Sequence, residues 1–342
     1  MNSRVAVVIL NYNGASMLRR FLPSVVAYSS GADIIVADNA STDDSLSVMG
    51  CEFPDIMVIA FERNYGFAEG YNKALQNIDS EYYILLNSDV EVTEGWIEPL
   101  LECMDANGNV AACQPKIRSY NNRDYFEYAG AAGGFIDCYG YPYCRGRIFD
   151  TLERDNGQYD TLSEIFWATG AALMIRRDDF WNSDALDGRF FAHMEEIDLC
   201  WRLKAMGRSI VCVPSSVVYH VGGATLSQKN PRKTFLNFRN NLLMLHKNLP
   251  QKEYKKVMRM RFLLDCVAAI KYLLAGSFAE FKAVADARRE YSRIKKEFDG
   301  QRRHNIESAT MDKIACRASF SILVQYYIKR RRLFSELPDA RK

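Results

Sequence analysis

The sequence predicts an α/β protein with a doubly wound, mostly parallel sheet and a helical C-terminal extension. Apolar runs of strand length recur at residues 5–10, 33–38, 56–61 and 82–86, and helical patterns follow the first three. Strands and helices that alternate in this way form a parallel sheet with helices on both faces. Beyond residue 250 the apolar residues recur at helical spacing, for example at Met311, Ala315, Ala318, Ile322 and Tyr326. This second pattern predicts a mostly helical C-terminal part.

Acidic residues follow two of the predicted strands at the point where each strand ends. Asp38 ends the second run, and Asn87-Ser88-Asp89 follows the fourth. The ligand crevice of an open α/β sheet lies at the carboxyl ends of its strands, so both carboxylates are expected at one edge. One acid would bind a base or ribose, and the other a divalent cation that also touches phosphates. The alternative for each carboxylate is to cap a turn or a helix.

Two further segments carry weaker structural signals. Residues 116–160 are rich in Tyr, Gly, Asn and Arg without a helical period, which predicts a loop or hairpin excursion over the active face. The apolar run 165–175 predicts another buried strand. Its Gly170-Ala171 pair would allow a ligand or a neighbouring strand to approach closely.

Three carboxylates occur within four residues at a predicted helix start, and a histidine ends a later apolar run. Glu195, Glu196 and Asp198 are either ordinary first-turn acids, favoured there by the helix dipole, or a group that supplies a base with raised proton affinity. His220 precedes two glycines and is either a plain polar residue or a metal ligand. The sequence contains neither G-x-G-x-x-G nor G-x-x-x-x-G-K-[ST], which excludes the dinucleotide fingerprint and the P-loop.

Charge divides the chain into an acidic part, residues 1–250, and a basic, mostly helical part, residues 251–342. The whole chain has a net charge of +2, while residues 251–342 alone carry a net charge of +11. The basic clusters of this second part, such as 329–332, fit either a solvated helical face or peripheral contact with an anionic membrane. Nucleic acid is not an expected partner, because the acidic part would repel it and no binding motif is visible.

The sequence also predicts a cytoplasmic protein, soluble or peripheral on the inner face of the cytoplasmic membrane. Its nine cysteines form no C-x-x-C pair, which is typical of reduced thiols and predicts no zinc site. The first strand begins almost at once, leaving no room for a cleaved leader. The most lipid-like segment, 257–278, is interrupted by four charged residues and is not expected to span a bilayer.

Seven ordered motifs between Val5 and about Leu245 resemble the family-2 glycosyltransferases, and within them the rhamnosyltransferase-like bacterial members. The motifs are VVILNYNG (7–14), VADNASTDDS (36–45), NYGFAEGYN (64–72), LLNSDVEV (85–92), TGAALMIRR (169–177), FFAHMEEIDLCWR (190–202) and YHVGG (219–223). The resemblance implies a Rossmann-like GT-A fold, a nucleotide-sugar donor and a divalent metal, Mg²⁺ or Mn²⁺. It also implies transfer with inversion at the anomeric carbon.

The resemblance assigns roles to individual positions. Asp38 would contact the nucleotide base, Asp89 would match the metal-binding acid of the D-x-D-type motif, and His220 would complete the metal shell. The first position of that motif is Asn87, which leaves Glu91 as an uncertain helper. Glu196 matches the catalytic base at a position where Asp is commoner, and Glu195 is the alternative. The donor-binding set is Asn11, Asn13, Asp38, Asn64, Gly66, Asn87, Ser88 and Asp89.

The function that follows is an inverting, metal-dependent hexosyl or rhamnosyl transfer. The acceptor would be a hydroxyl of a glycan, carried on a lipid, in bacterial surface polysaccharide synthesis. The alternatives are a non-catalytic nucleotide-sugar-binding or scaffold protein and a sugar nucleotidyltransferase. The retained acids argue against the first alternative. The second usually has a Gly- and Arg/Lys-rich loop after the first strand, where this chain has Asn11-Tyr12-Asn13-Gly14.

Overall fold

The computed structural model describes residues 3–222, 230–311 and 313–340, so Gly223 of the YHVGG motif lies outside the described residues. The strands are β1 (Val5–Asn11), β2 (Ala32–Asp38), β3 (Met57–Ala60), β4 (Tyr82–Asn87), β5 (Val90–Val92), β6 (Val110–Ser119), β7 (Gly134–Ile136), β8 (Pro142–Cys144), β9 (Arg147–Ile148), β10 (Thr151–Leu152), β11 (Ser163–Glu164), β12 (Ala172–Arg176) and β13 (Ser209–His220). The helices are α1 (Ala15–Tyr28), α2 (Ser45–Glu52), α3 (Gly66–Leu75), α4 (Glu98–Ala106), α5 (Arg177–Asn182), α6 (Glu195–Ala205), α7 (Pro231–Asn248), α8 (Gln251–Leu274), α9 (Phe278–Ile294) and α10 (Asp299–Glu307).

Nine of these strands form one mixed sheet, which confirms the predicted mostly parallel architecture. The order along the sheet is β3, β2, β1, β4, β12, β6, β13 and β11, and β5 also pairs with β13. The strands β3, β2, β1, β4, β6 and β13 run in one direction. β12 lies antiparallel between β4 and β6. The registers Asn11 to Asp38 and Leu10 to Asn87 bring the carboxyl ends of three neighbouring strands to one rim.

The central strands are buried on both faces, as their continuous apolar composition predicts. Along β1, Val5, Val7 and Ile9 pack on one side of the sheet. Ala6 and Val8 pack on the other side. Helices α1, α2 and α4 contribute to the first core, and α3, α6 and α7 to the second. Because both faces are covered, the polar side chains of the sheet collect at its rims.

The excursion predicted for residues 116–160 is organised around a small four-stranded antiparallel sheet in the order β10, β9, β8, β7. The strand predicted for residues 165–175 is wrong over most of its length, because only β12 from Ala172 onward belongs to it. Before β12 the chain turns, and the backbone N–H of Thr169 donates to the side chain of Gln114 at 3.0 Å. The group that approaches Gly170 closely is a helix side chain, not the predicted neighbouring strand: a Cβ there would lie 2.8 Å from the ring of Phe67 in α3.

Three long helices follow residue 250, but the helix predicted for 311–326 is wrong. Residues 313–321 are irregular, and helical structure is limited to residues 322–328, of which 324–328 form a π-helical turn. The reason is that this segment bonds to the small sheet: the backbone N–H of Ala318 donates to the carbonyl of Ile136 at 2.8 Å, and that of Ile322 to Asp137 Oδ2 at 2.9 Å. Of the apolar residues at helical spacing, Ala318, Ile322 and Tyr326 are buried in this irregular arrangement, whereas Met311 and Ala315 are exposed. Among the described residues, no helix is long and apolar enough to cross a membrane.

Candidate functional site

The rim formed by the ends of β1 and β2 carries a closed network of polar side chains. The Asn11 side-chain amide donates to Asp38 Oδ2 at 2.9 Å, and the backbone N–H of Ser41 donates to Asp38 Oδ1 at 2.8 Å. Asn11 and Asp38 are buried, and Asn11 Oδ1 has no hydrogen-bond partner within the described chain. The turn-capping role considered for Asp38 is therefore present. The residue also lies at the rim where the sequence predicts the nucleotide-sugar site.

The two loops that leave this rim are tied together by Asn13. Its backbone has a positive φ of 52°, its N–H donates to Ser41 Oγ at 2.9 Å, and its Oδ1 accepts from the backbone N–H of Thr42 at 2.7 Å. Gly14 follows where a Cβ would lie 2.4 Å from Asn11 Oδ1, so a larger residue would displace that amide. Both predicted donor-binding asparagines thus shape one rigid turn.

Asn64 and Gly66 join this rim to the loop before α6 through Asn39, a residue that the sequence analysis did not single out. The Asn39 amide donates to Asn64 Oδ1 at 3.1 Å and to the carbonyl of Gly66 at 2.9 Å. Gly66 has a φ of +78°, and a Cβ there would lie 2.5 Å from the ring of Phe191. The backbone N–H of Phe67 also donates to the Phe191 carbonyl at 2.6 Å. Asn39 lies inside a motif already quoted, which was the available signal.

Asp89 and His220 meet at the same rim, as the resemblance implies. Asp89 lies in the turn between β4 and β5, and Val90 pairs with His220 in the antiparallel register of β5 and β13. His220 Nε2 is 3.1 Å from Asp89 Oδ1 and 3.4 Å from the side-chain nitrogen of Asn87. Both Asp89 and His220 are buried. Ser88 lies beside them, with its Oγ 3.5 Å from the Cβ position of Gly14.

Glu127 is a buried second partner of His220 that no pattern in the sequence indicates. Its Oε2 lies 3.3 Å from His220 Nδ1 and accepts a hydrogen bond from the backbone N–H of Ala129. The backbone of Glu127 is fixed in turn by its N–H, which donates to the carbonyl of Ile117 at 3.1 Å. The residue lies in the excursion after β6, 93 positions before His220, and only the tertiary fold brings the two together. Glu91, considered as a helper, instead accepts from Arg123 at 2.7 Å.

The two carboxylates make His220 a strong base. Burial opposes its protonation, but Glu127 and Asp89 outweigh burial and raise the pKa of His220 to about 10. Burial likewise opposes ionisation of Asp89, yet protonated His220 holds the pKa of Asp89 below its ordinary value. In the metal-free protein the imidazolium therefore supplies the positive charge that these buried acids require.

The chemistry of this group suits a divalent ion that is shared with a ligand. The described residues contain no group of three or more His, Cys, Asp or Glu side chains able to hold a metal by themselves. Asp89 Oδ1 and His220 Nε2 offer an oxygen and a nitrogen donor, and a metal replaces the imidazole proton on binding. Glu127 beside Nδ1 would fix the tautomer that leaves Nε2 free, the usual arrangement of metal-binding histidines. One carboxylate together with substrate phosphate oxygens and water is typical of Mg²⁺ sites, and Asp89 would be that carboxylate here.

Glu195 and Glu196 open α6 after a strained turn. Phe191, His193 and Met194 all have positive φ values, between 65° and 74°. Such conformations of non-glycine residues cost free energy and cluster at functional sites. Glu195 is buried and Glu196 is partly exposed, and the Oε2 atom of each lacks a hydrogen-bond partner within the described residues.

These two carboxyls bind protons unusually tightly. Burial raises the pKa of Glu196 to about 7. Burial, followed by the neighbouring Glu196, raises the pKa of Glu195 well above its ordinary value. Asp198, the third acid of the cluster, is fully buried and accepts from Lys247 at 2.7 Å and Asn248 at 2.7 Å, a structural role. The turn therefore carries a carboxyl with a pKa near neutrality on the partly exposed residue Glu196, and the Oε2 atom of that carboxyl is buried.

Asn240 of α7 holds the strained turn in place, and the sequence analysis missed it. Its side-chain amide lies 2.9 Å from the carbonyl of Phe190, 2.8 Å from that of Ala192 and 2.8 Å from that of His193. Asn240 is buried. The two N–H groups of one amide are thus shared among three carbonyls immediately before the two glutamates.

Comparisons with known proteins identify the family and the fold of this chain. The family model described as Glycosyl transferase family 2 matches residues 6–183. The N-acetylglucosaminyl-diphospho-decaprenol L-rhamnosyltransferase of Mycobacterium tuberculosis is 25% identical over 235 residues, which cover 64% of this chain and 76% of that protein. A solved structure of GalNAc-T7 with UDP, GalNAc and Mn²⁺ has a TM-score of 0.54 and 18% identity over 71% of this chain and 47% of that longer chain. S. aureus TarS 1-349 in complex with UDP-GlcNAc has a TM-score of 0.54 and 13% identity, covering 89% of this chain and 88% of that chain. The structural likenesses confirm the predicted GT-A fold.

Proposed function

The chain belongs to glycosyl transferase family 2, and from this premise we propose that it transfers a sugar, with inversion, from a nucleoside-diphosphate donor to an acceptor hydroxyl. The observation that supports this best is the pairing of Asp89 with His220 at the strand rim. The contact between Gly66 and Phe191 links this rim to the turn that carries Glu196. The Asp89–His220 pair suits the leaving diphosphate, and Glu196 suits the attacking hydroxyl. Glycosyltransferase activity follows from the family; the stereochemistry belongs to this proposal.

The donor would lie along the rim formed by the ends of β2, β1 and β4. Asp38 would contact the nucleotide base through lone pairs that its two internal hydrogen bonds leave free. Asn11 Oδ1, buried and unpartnered within the described residues, offers a further acceptor. The remaining donor contacts would come from Asn13, Asn64, Gly66, Asn87 and Ser88.

A divalent ion, Mg²⁺ or Mn²⁺, would be held by Asp89 and His220. When bound, it supplies positive charge beside the diphosphate, which gains negative charge as the sugar leaves. Asn87, with its amide 3.4 Å from His220 Nε2, takes the place of the first acid of a D-x-D motif. An amide in that place reduces the negative charge around the ion. The chain's own contribution is to fix Asp89 and His220, with Glu127 orienting the imidazole from behind.

The acceptor hydroxyl would lose its proton to Glu196. A carboxylate with a pKa of about 7 is ionised in a large fraction of molecules near neutral pH and still accepts a proton readily. Glu195 is the alternative, but it is more deeply buried. Direct attack by the activated hydroxyl on the face opposite the diphosphate displaces it in one step and inverts the anomeric carbon.

The M. tuberculosis relative is named for transfer of rhamnose to an acceptor on a decaprenol lipid. By analogy, we infer a lipid-linked glycan acceptor and a role in bacterial surface polysaccharide synthesis for this chain. A protein that acts on such acceptors would work at the cytoplasmic face of the membrane. Rhamnose and other hexoses are the candidate donor sugars. The division of the chain at residue 250 into a transferase domain and a basic region is part of the same proposal.

A screen of nucleotide sugars tests this function. The full chain would be incubated with each donor and with Mn²⁺ or Mg²⁺, and release of nucleoside diphosphate would be followed. We expect release with one donor class and only with metal present. Asp89→Ala should weaken binding of both metal and donor, measured by calorimetry, because it removes the carboxylate ligand. Glu102→Gln, an exposed substitution in α4, is the control.

Two outcomes would contradict the proposal. Donor binding without any release, hydrolysis or transfer would favour a non-catalytic nucleotide-sugar-binding protein. Donor binding that is equally tight with and without divalent metal, and unchanged in Asp89→Ala, would remove the metal from the mechanism.

A further inference from the structure

Helix α8 has its polarity reversed relative to an ordinary surface helix. Charged residues face the protein: Arg261 is 1% exposed and Asp265 is 0% exposed. Apolar residues face outward, with exposures of 57% at Leu263, 64% at Val267, 53% at Ile270 and 83% at Leu274. These four residues recur at intervals of four, three and four, so they share one side of the helix. A helix of a globular protein normally places such a stripe against the core.

The buried charges fix this orientation. Arg261 Nη2 lies 3.2 Å from Asp265, and Arg288 of α9 also binds Asp265. Arg261 Nη1 also donates to the carbonyl of Tyr139 at 3.1 Å, and its guanidinium lies 4.2 Å from the ring centroid of Tyr141. Rotating α8 to bury its apolar side would expose or break this network, at the cost of unpaired buried charges. The apolar stripe therefore stays on the surface.

The outward apolar surface continues beyond α8. Phe278, the first residue of α9, is 67% exposed, and Ile328 is 74% exposed. Lys271 Nζ lies 5.5 Å from the ring centroid of Tyr327, which places the π-helical turn beside the stripe. We call this surface the α8 apolar face, defined by Leu263, Val267, Ile270, Leu274, Phe278, Tyr327 and Ile328. Apolar surfaces of this extent mark interaction sites more often than isolated exposed residues do.

Positive charge flanks the α8 apolar face in two clusters, and the acids Glu280 and Asp150 lie near Tyr272 of α8 between them. Counting back along the same side of α8 by three and four residues gives Arg259, Lys256 and Lys252, all exposed. Exposed cations also follow Ile328, at Lys329, Arg330 and Arg332. The two acids of α8 are occupied, since Glu253 pairs with Arg317 at 2.7 Å and Asp265 is buried. A partner of this surface must therefore be apolar at its centre and anionic around it.

We propose that the α8 apolar face docks on an anionic lipid bilayer, with its apolar residues at the acyl boundary and its basic residues among the head groups. A basic rim with an aromatic and aliphatic centre is the chemistry of helices that lie in the membrane interface. A second copy of the chain fits less well, because it would bring two positive rims together. The docking rests on α8 and its neighbours and requires no catalytic assumption. Its use, to meet an acceptor carried on a lipid, rests on the proposed function.

Vesicle flotation with the full chain tests this inference. The probes are phosphatidylcholine vesicles with and without phosphatidylglycerol, at low and high salt. We expect binding only to vesicles that contain phosphatidylglycerol, weakened by salt as screening predicts. The double variant Val267→Asn with Leu274→Asn should lower the partition coefficient by about tenfold or more, because two large apolar side chains no longer enter the interface.

Matched variants distinguish the apolar contribution to vesicle binding from the ionic one. They also distinguish loss of binding from misfolding. Leu162→Asn changes an equally exposed leucine, 60% exposed, outside the α8 apolar face and should leave binding unchanged. Lys252→Gln with Lys256→Gln should weaken binding and reduce its salt dependence. Thermal melts by circular dichroism would show that the variants remain folded. Metal-dependent release of nucleoside diphosphate in solution should be unchanged in Val267→Asn with Leu274→Asn, so loss of docking is distinguishable from loss of catalysis.

Three results would overturn the inference: absence of binding to anionic vesicles, equal binding by the double variant and the unmodified chain, or equal binding to neutral vesicles. Light scattering provides a further test. A dimer of the full chain that becomes monomeric in Leu274→Asn would assign the surface to a second copy instead of a bilayer.

Discussion

Glu195 and Glu196 are adjacent in sequence yet differ in environment. Glu195 is buried beneath the strained turn, whereas Glu196 is partly exposed and carries a carboxyl whose pKa burial raises to about 7. Burial raises the pKa of both carboxyls, and the charge of the neighbouring Glu196 raises that of Glu195 further.

Glu196→Gln tests the base assignment. We expect the transfer rate to fall by about 10²–10⁴-fold with donor affinity unchanged, because the amide keeps the shape of the side chain but cannot accept the proton. In the unmodified chain the rate should rise with pH up to about 7, the pKa of Glu196, and then level off as the base becomes fully ionised. The measurement is a pH profile of single-turnover transfer. Full transfer by Glu196→Gln, with loss in Glu195→Gln, would move the role to Glu195.

Glu127→Gln tests the orientation of His220. Because a carboxylate beside Nδ1 both fixes the tautomer and strengthens Nε2 as a ligand, we expect Mn²⁺ affinity to fall by about 10–100-fold. The measurement is calorimetric titration of Mn²⁺ in the presence of nucleoside diphosphate. Glu91→Gln is the matched control, since Glu91 pairs with Arg123 and not with His220. Equal Mn²⁺ affinity in both variants would limit Glu127 to a packing role.

The turn between residues 190 and 194 is an element held from two sides. Gly66 and Phe67 contact Phe191 from one side, and Asn240 of α7 binds three carbonyls from the other. The strained backbone that precedes Glu195 persists because these neighbours determine it. Movement of the rim loop at Gly66 would therefore be transmitted directly to the turn that carries the acids.

Asn240→Ala should loosen this turn. The carbonyls of Ala192 and His193 would lose the Asn240 amide, whereas the Phe190 carbonyl still accepts from Ala192 N–H and Arg239; a carbonyl left without a partner costs about 1–3 kcal/mol if it is buried. We expect faster amide hydrogen exchange across residues 190–196 and a lower transfer rate, with less change in donor affinity. Asn237→Ala, three residues earlier on the same helix, is the control. Unchanged exchange in the turn would show that Gly66 and Phe67 suffice to hold it.

At the scale of the whole molecule, the residues beyond 250 share the core of the transferase fold. Val257, Tyr291, Phe298 and Tyr326 are buried in the same cluster as residues of β1, β4 and α6. Phe334 also packs against Phe135, with ring centroids 4.9 Å apart. The predicted boundary at residue 250 stays a prediction, and these contacts show what a truncation there would remove.

A chain that ends at Pro250 should be poorly soluble or unfold at a much lower temperature. Each fully buried large apolar side chain contributes about 1.5–3 kcal/mol, and total stabilities are only about 5–15 kcal/mol. The measurement is soluble yield and thermal unfolding. A chain that ends at Ala340 is the control. An unchanged melting temperature after truncation at Pro250 would show that residues 1–250 fold independently.

Sequence patterns predicted the parts of the fold and site that local chemistry determines. Buried strands ending at Asn11, Asp38 and Asn87 follow from apolar runs that stop at polar residues, and parallel pairing aligns those ends. Glu127 and Asn240 escaped prediction because each acts on a partner about 50 to 90 residues away, with no local periodicity. The helix predicted near residue 318 failed because apolar residues three or four apart can also be buried by an irregular segment beside the small sheet. The roles of Asp89, His220 and Glu196 stay predictions.

The reversed direction of β12 has a geometric consequence for the crevice. The loops that follow the parallel strands lie at this rim, whereas for the antiparallel β12 it is the preceding loop that lies there. Asn87 donates its backbone N–H to the carbonyl of Ala171 in that preceding loop at 3.0 Å. Backbone segments that run in opposite directions therefore meet at the same rim. Residues 166–171 are buried, and the Ala171 carbonyl accepts from the end of β4, so we expect substitutions in this incoming segment to shift Asn87 while leaving the ends of β1 and β2 in place.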